Sequence, residues 1–391
     1  MDPEINYIPY GRQSITSQDI DAVVGVLKSP FLTQGPVVPA FENAVANKVA
    51  SRYGVAVNSA TSALHISCLA LGLGPGDQLW TSPNTFVASS NCGLYCGAQI
   101  DFVDICPSTG LMDIEALRLK LSQAKRINKL PKILVPVHFS GASCDMAAIS
   151  MLAKEYQFAV IEDASHAIGG SYQGNPVGSC RYSDICVFSF HPVKVITTGE
   201  GGMAVTNNKD LAERMSMFRS HGITKDPSNY QLPSPAPWSY EQQLLGFNYR
   251  VTDIQAALGL SQLNRLEEIV NERNRLRNHY LALAEHLPVR FLEIPKDVFS
   301  SVHLAVIRLN QMTPGLHRRV FDYMRESKIG VQLHYSPVHL QPFYRDMGFS
   351  LGDFPHAEAY ATNAFSLPLY PGLSIENQQH IIGLLEKALN S

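Results

Sequence analysis

Between Tyr53 and Thr206 the chain alternates short apolar runs with stretches of helical period. Val55-Ala56-Val57 is one such run, and SALHISCLAL, from Ser62 to Leu71, follows it with helical character. Gln78-Leu79-Trp80 is strand-like, Val87 to Cys96 helical, and Gln99 to Val103 strand-like again. Ile133 to Val137, Ala159 to Ile161, Cys186 to Phe188 and Met203 to Val205 complete the series. Runs this short and this apolar suit strands buried on both faces. Strands separated by helices predict a parallel or mixed sheet covered on both sides.

After Arg250 the pattern lengthens. Val251 to His286 holds helical stretches long enough to connect two domains. Beyond them His303 to Leu309 and Val331 to Tyr335 read as strands, and Leu316 to Ser327 and Ile375 to Leu389 as helices. Thr224 to Ser239, rich in Pro, Ser and Asn, reads as a surface loop. The expected class is α/β: a large domain with an N-terminal arm over residues 1–250, then a connecting helix and a smaller C-terminal α/β domain over 251–391.

Composition excludes several alternatives. With 45% hydrophobic and 17% charged residues, 391 residues form a compact globular protein rather than a disordered one. A net charge of -3 leaves no basic surplus for a nucleic-acid backbone. No apolar window is long enough to span a bilayer, and no Lys/Arg run flanks an amphipathic stretch, so no membrane partner is expected. MDPEINYIPYGRQ lacks the basic and apolar regions of a secretory signal. The seven cysteines are odd in number, sit in or near apolar runs and lack paired metal-ligand spacing. They read as buried hydrophobes of a reducing compartment, with no metal expected and the cytoplasm as the location.

Candidate chemistry gathers at strand ends. Ser189-Phe190-His191-Pro192-Val193-Lys194, then a Gly-rich turn to Gly202, lies between two apolar runs. A lysine partly desolvated there can be a nucleophile toward an aldehyde, although an isolated lysine in such a turn is usually a solvated one. Asp163, in Ile161-Glu162-Asp163-Ala164-Ser165-His166-Ala167, can pair with a protonated pyridine nitrogen; taken singly, a helix N-cap is the slightly favoured reading. Asn58 to Leu64 joins a strand to a helix, where hydroxyls and free amides bind phosphate, or simply cap. Phe86, in the loop after another strand, can stack on a planar ring or pack in the core. Together these form a phosphate cradle, an aromatic, a carboxylate and a lysine, all at the ends of strands where α/β sheets collect ligands.

That order resembles the fold-type I enzymes dependent on pyridoxal phosphate (PLP), and more narrowly the sugar-nucleotide aminotransferases of the DegT/StrS family. The resemblance runs from about Tyr10 to the C-terminus through FLTQGP (31–36), residues 58–64, 162–169, 189–202, 246–250 and 333–337. It implies Lys194 as the Schiff-base residue and Asp163 as the partner of the pyridine nitrogen. It implies Thr61, Ser62 and Ser189 as phosphate contacts, His166 near the ring hydroxyl and Phe86 over the ring. Asn248, in G-x-N-x-R, would reach the phosphate from the neighbouring subunit, giving a homodimer with shared active sites. Tyr10, Pro30, Phe31, Leu32, Thr33, Ala60, Ser189, Asn248, Arg250, His334 and Tyr335 are the implied substrate contacts. His303 is a further candidate, set against the commoner structural histidine of a strand. The phrases SFHPVK, FRSHGI and QLHYSPVHLQPFY resemble the members that aminate C4 of a UDP-linked 4-keto-6-deoxy-N-acetyl sugar in pseudaminic acid biosynthesis, with L-glutamate as donor. Relatives that dehydrate sugars on the same fold replace the lysine with histidine. A non-catalytic sugar-nucleotide binder would be expected to lose Lys194 or Asp163. This chain keeps both.

Overall fold

The computed structural model describes residues 7–232, 236–310 and 313–390. Seven of the apolar runs become one sheet: β1 (Tyr53–Val57), β2 (Gln78–Thr81), β3 (Gln99–Phe102), β4 (Ile133–Val135), β5 (Ala159–Asp163), β6 (Ile185–Ser189) and β7 (Gly202–Thr206). Their order across the sheet is β1-β7-β6-β5-β4-β2-β3. All neighbours are parallel except β7, which runs antiparallel to both β1 and β6. β6 and β7 are buried along their whole length, as strands covered on both faces must be.

Helices cover both faces. Phe41, Val45, Ala164, Phe188 and Val270 pack into one apolar cluster, and Leu64, Cys92, Val135 and Met215 into another. Helix Asp253–Leu263 packs on Ser17–Leu27 and Val37–Lys48. The buried Asp253 carboxylate accepts from the amides of Gly35 and Val37, both at 2.8 Å, which fixes the loop after residue 30. The long helical stretch after Arg250 breaks at Asn264–Arg265 into Asp253–Leu263 and Leu266–Leu283.

The C-terminal part builds its own antiparallel sheet, β8 (Val289–Phe291), β9 (Ala305–Leu309) and β10 (Ala364–Leu367), in the order β8-β9-β10. Val331 to Tyr335, expected as a strand, is irregular, with one isolated bridge between Gln332 and Ser366. The reason lies in tertiary contacts. Tyr335 N–H donates to Asn84 Oδ1 and His334 C=O accepts from Tyr360 Oη, so side chains take backbone groups a ladder would need. The 224–239 stretch is a loop in the main, closed by the two-residue pairing of Ile223–Thr224 with Glu241–Gln242, and residues 233–235 lie outside the described part.

Candidate active site

The C-terminal ends of β1, β5 and β6 face a cavity of about 520 Å³ that the C-terminal part closes from the other side. At the end of β1, Ser59 caps helix Ala60–Ala70 by accepting from Ser62 N–H at 3.1 Å. Ala63 N–H donates to Ser59 C=O, so the amides of Ala60 and Thr61 remain the open donors of the first turn. Both residues line the cavity, and a helix N-terminus of this kind suits a phosphate. The cradle depends on Gly202 at the start of β7: a Cβ there would lie 2.4 Å from Ala60 N.

Asp163 ends β5 and is buried. Its Oδ2 accepts from Ser89 Oγ at 2.6 Å, and its Oδ1 from Ser165 N–H at 3.1 Å and Ser165 Oγ at 2.6 Å. Ser89 is itself bonded to Thr85 Oγ1 at 2.7 Å. Three donors on one carboxylate fix its position and orientation, as facing a pyridinium requires. The preceding residue, Glu162, pairs instead with His138 at 2.6 Å.

Lys194 sits in the turn after β6, its backbone N–H donating to His191 C=O. Its side chain makes no ion pair among the described residues. Burial pushes its pKa down to about 8, against the opposing pull of Asp163. His166 accepts from Ser140 N–H through Nδ1 at 3.3 Å, which places its proton on Nε2, 3.2 Å from Tyr335 Oη. Burial first, then the charges of Lys194 and His334, hold His166 well below the usual histidine range. His334, bonded to Ser366 Oγ at 2.9 Å, is pushed down to about 3 by burial and Lys194. Tyr10 packs its ring 5.2 Å from that of His334.

The cavity wall therefore brings together Tyr10, Ala60, Thr61, Phe86, Asp163, His166, Ser189, Lys194, His334 and Tyr335. Other expected residues lie elsewhere in this chain. Ser62 is buried and spends its hydroxyl on Asn58 Oδ1 at 2.7 Å, away from the wall. Pro30, Phe31, Leu32 and Thr33 form an exposed stretch, and Asn248 bridges to Ser220; neither they nor Arg250 belong to the wall. Sequence reasoning missed Ser89 and Asn84, which carry no local signal because their partners are 74 and 251 residues away. Ser165 had one: a serine two residues after an aspartate is the spacing of a local side-chain turn.

These residues suit PLP. Open amides and the Thr61 and Ser189 hydroxyls offer donors for its phosphate, Asp163 a charge for its ring nitrogen, and Lys194 a readily deprotonated amine for its aldehyde.

The model of the DegT/DnrJ/EryC1/StrS aminotransferase family matches residues 13–386. The chain belongs to this family. It is 35% identical over 381 residues to the spore coat polysaccharide biosynthesis protein SpsC of Bacillus subtilis, covering 96% of each chain. Among solved structures it resembles Helicobacter pylori PseC, an aminotransferase involved in the biosynthesis of pseudaminic acid. The TM-score is 0.90 and the identity 31%, over 98% of this chain and 100% of that one. The PLP form of Spr1654, described as a sugar aminotransferase of Streptococcus pneumoniae, matches with a TM-score of 0.89 and 27% identity, over 98% and 99% of the two chains. The protein is thus an aminotransferase with the fold of PLP-dependent sugar aminotransferases. Among the described residues no helix is long and apolar enough to cross a membrane, and no cluster of three metal-binding side chains occurs.

Proposed function

We propose that this PLP-dependent aminotransferase moves the amino group of L-glutamate to C4 of a UDP-linked 4-keto-6-deoxy-N-acetyl sugar, the step that serves pseudaminic acid biosynthesis. The observation that carries the reading is end-to-end likeness to PseC, at 31% identity and a TM-score of 0.90. Bound PLP supplies an aldehyde to accept the amino group and a ring to withdraw electrons. The chain supplies the rest. With a pKa of about 8, Lys194 is about one-tenth free amine at pH 7, against roughly one part in three thousand for an ordinary lysine. Its Nζ would move the proton from Cα of the amino donor to the cofactor's aldehyde carbon, and in the second half would move a proton from that carbon to C4 of the sugar. Asp163 holds its charge toward the ring nitrogen, and Thr61, Ser189 and the open amides hold the phosphate.

Asn248 and Arg250 lie outside the wall of their own chain, which supports a homodimer whose sites are each completed by the partner copy. The expected location is the cytoplasm, where nucleotide sugars are made. Likeness to SpsC, a protein of spore coat polysaccharide biosynthesis, favours a second reading: the same chemistry on another nucleotide-linked keto sugar. Incubating the purified protein with PLP, L-glutamate and a panel of nucleotide keto sugars separates the two. The first reading requires UDP-4-amino-4,6-dideoxy-N-acetyl-β-L-altrosamine as the preferred product by mass spectrometry and NMR. Preference for another sugar overturns the substrate, and absence of transfer to every sugar overturns the reaction.

A further inference from the structure

His303, offered by the sequence only as a further candidate for substrate contact, is buried and forms part of the cavity wall. It precedes β9, and its backbone N–H donates to Ser140 C=O at 2.9 Å while Arg273 Nη1 donates to its C=O at 3.3 Å. The imidazole lies 4.3 Å from that of His166, centroid to centroid. Its Nδ1 is enclosed and has no hydrogen-bond partner, which leaves the Nε2 edge to face the cavity. A buried bare lone pair is tolerated better than a buried unbonded N–H, so the proton of the neutral ring belongs on Nε2. Burial first, then the charges of neighbours such as Lys194 and Arg273, hold its pKa well below the usual histidine range, so the ring stays neutral. The result is a fixed N–H donor in a wall it shares with Lys194.

We propose that His303 Nε2–H binds the carboxylate of the amino-acid donor during the first half of the reaction. A charged acceptor gains most from such a donor, and the keto sugar ring carries no anion of its own. The Asp163 carboxylate, the anion of the neighbouring floor, is already held by Ser89 and Ser165 and does not compete for His303.

The assignment rests on the aminotransferase reading, and the two halves of the reaction test it separately. The PLP form is mixed with L-glutamate in single turnovers. The aminated form, prepared by loading the protein with pyridoxamine phosphate, is mixed with the keto sugar. His303→Phe keeps the ring's bulk and removes its donor, and should weaken the apparent glutamate affinity roughly 10- to 100-fold, the worth of one hydrogen bond to a charged group. The sugar half-reaction should change less than about threefold, within the scatter of a neighbouring apolar swap. His303→Gln, which restores an N–H, should recover part of the glutamate affinity. In the unloaded wild-type protein, nitrogen NMR should find His303 as the neutral Nε2–H tautomer. Equal losses in both halves, a loss in the sugar half alone, unchanged glutamate affinity or the Nδ1–H tautomer would each overturn the assignment. A wild-type protein that takes no amino group from glutamate would overturn the proposed donor as well, which no result with His303→Phe alone could do.

Discussion

Replacing Lys194 with Met in the cofactor-free protein should make the fold more stable at neutral pH. Burial lowers the Lys194 pKa from the ordinary 10.5 to about 8. In the folded state the amine therefore binds its proton less tightly than in the unfolded chain. The cost is fully present below pH 8, shrinks as pH rises, and vanishes above 10.5, where both states are neutral. A lowering of this size corresponds to roughly 3 kcal/mol. Spread over the unfolding entropy of a chain this long, it amounts to about 4 °C in melting temperature. Lys194→Met should melt about 4 °C above wild type at pH 7 and within about a degree of it at pH 10.5. Calorimetry of both proteins, unloaded and at matched concentration, cancels every other titrating group in the difference. A difference that stays constant from pH 7 to 10.5 would refute the claim that burial lowers this lysine.

Asp163→Asn should fold normally yet lose about a thousandfold in turnover, since the isosteric amide keeps shape and removes the charge; near-normal turnover would mean that another group supports the ring. Ser89→Ala should cost about 1–3 kcal/mol in stability by leaving Asp163 Oδ2 short of its donor, read by urea unfolding; an unchanged midpoint would show the bond to be idle. Gly202→Ala drives a Cβ to 2.4 Å from Ala60 N and should weaken PLP binding by at least about tenfold through displacement of the cradle, measured by equilibrium dialysis; unaltered affinity would show that the turn can retreat. Mixing Lys194→Ala with Asn248→Ala chains, each impaired alone, should restore about half of wild-type activity per mixed dimer, because one shared site collects both defects and the other neither. No recovery after confirmed subunit exchange would place Asn248 in its own chain's site.

The sheet was legible because its strands announce themselves. Runs such as ICVFS and ILV have no polar face to hide, and strand ends carried the conspicuous Asp163 and Lys194. What stayed hidden depends on distance along the chain. Ser89 in helix Ala88–Tyr95 looks like any small helical residue until β5 is set beside it with Asp163 at its tip. Val331 to Tyr335 has the composition of a strand, but its hydrogen bonds go to Asn84 and Tyr360, partners that no local window contains. Ser62 shows the opposite failure: its position in the turn was visible, but the competing acceptor Asn58 decides where its hydroxyl points.

The reversed strand β7 ties two anchors to one ladder. Gly202 stands opposite Val57 on one side and Ser189 on the other, so the turn that offers amides and the loop that carries Lys194 are fastened to the same residue. The loop 190–201 is thereby clamped at both ends like a spring clip, and Thr198 N–H closes it again on Phe190 C=O at 3.0 Å. Lengthening or shortening that clip would shift the amine against the phosphate seat, whereas the surface loop after Thr224 can change length without moving either. Loop grafting between relatives should accordingly succeed at the outer hairpin and fail in the clip, unless β1, β6 and β7 are exchanged with it as one block.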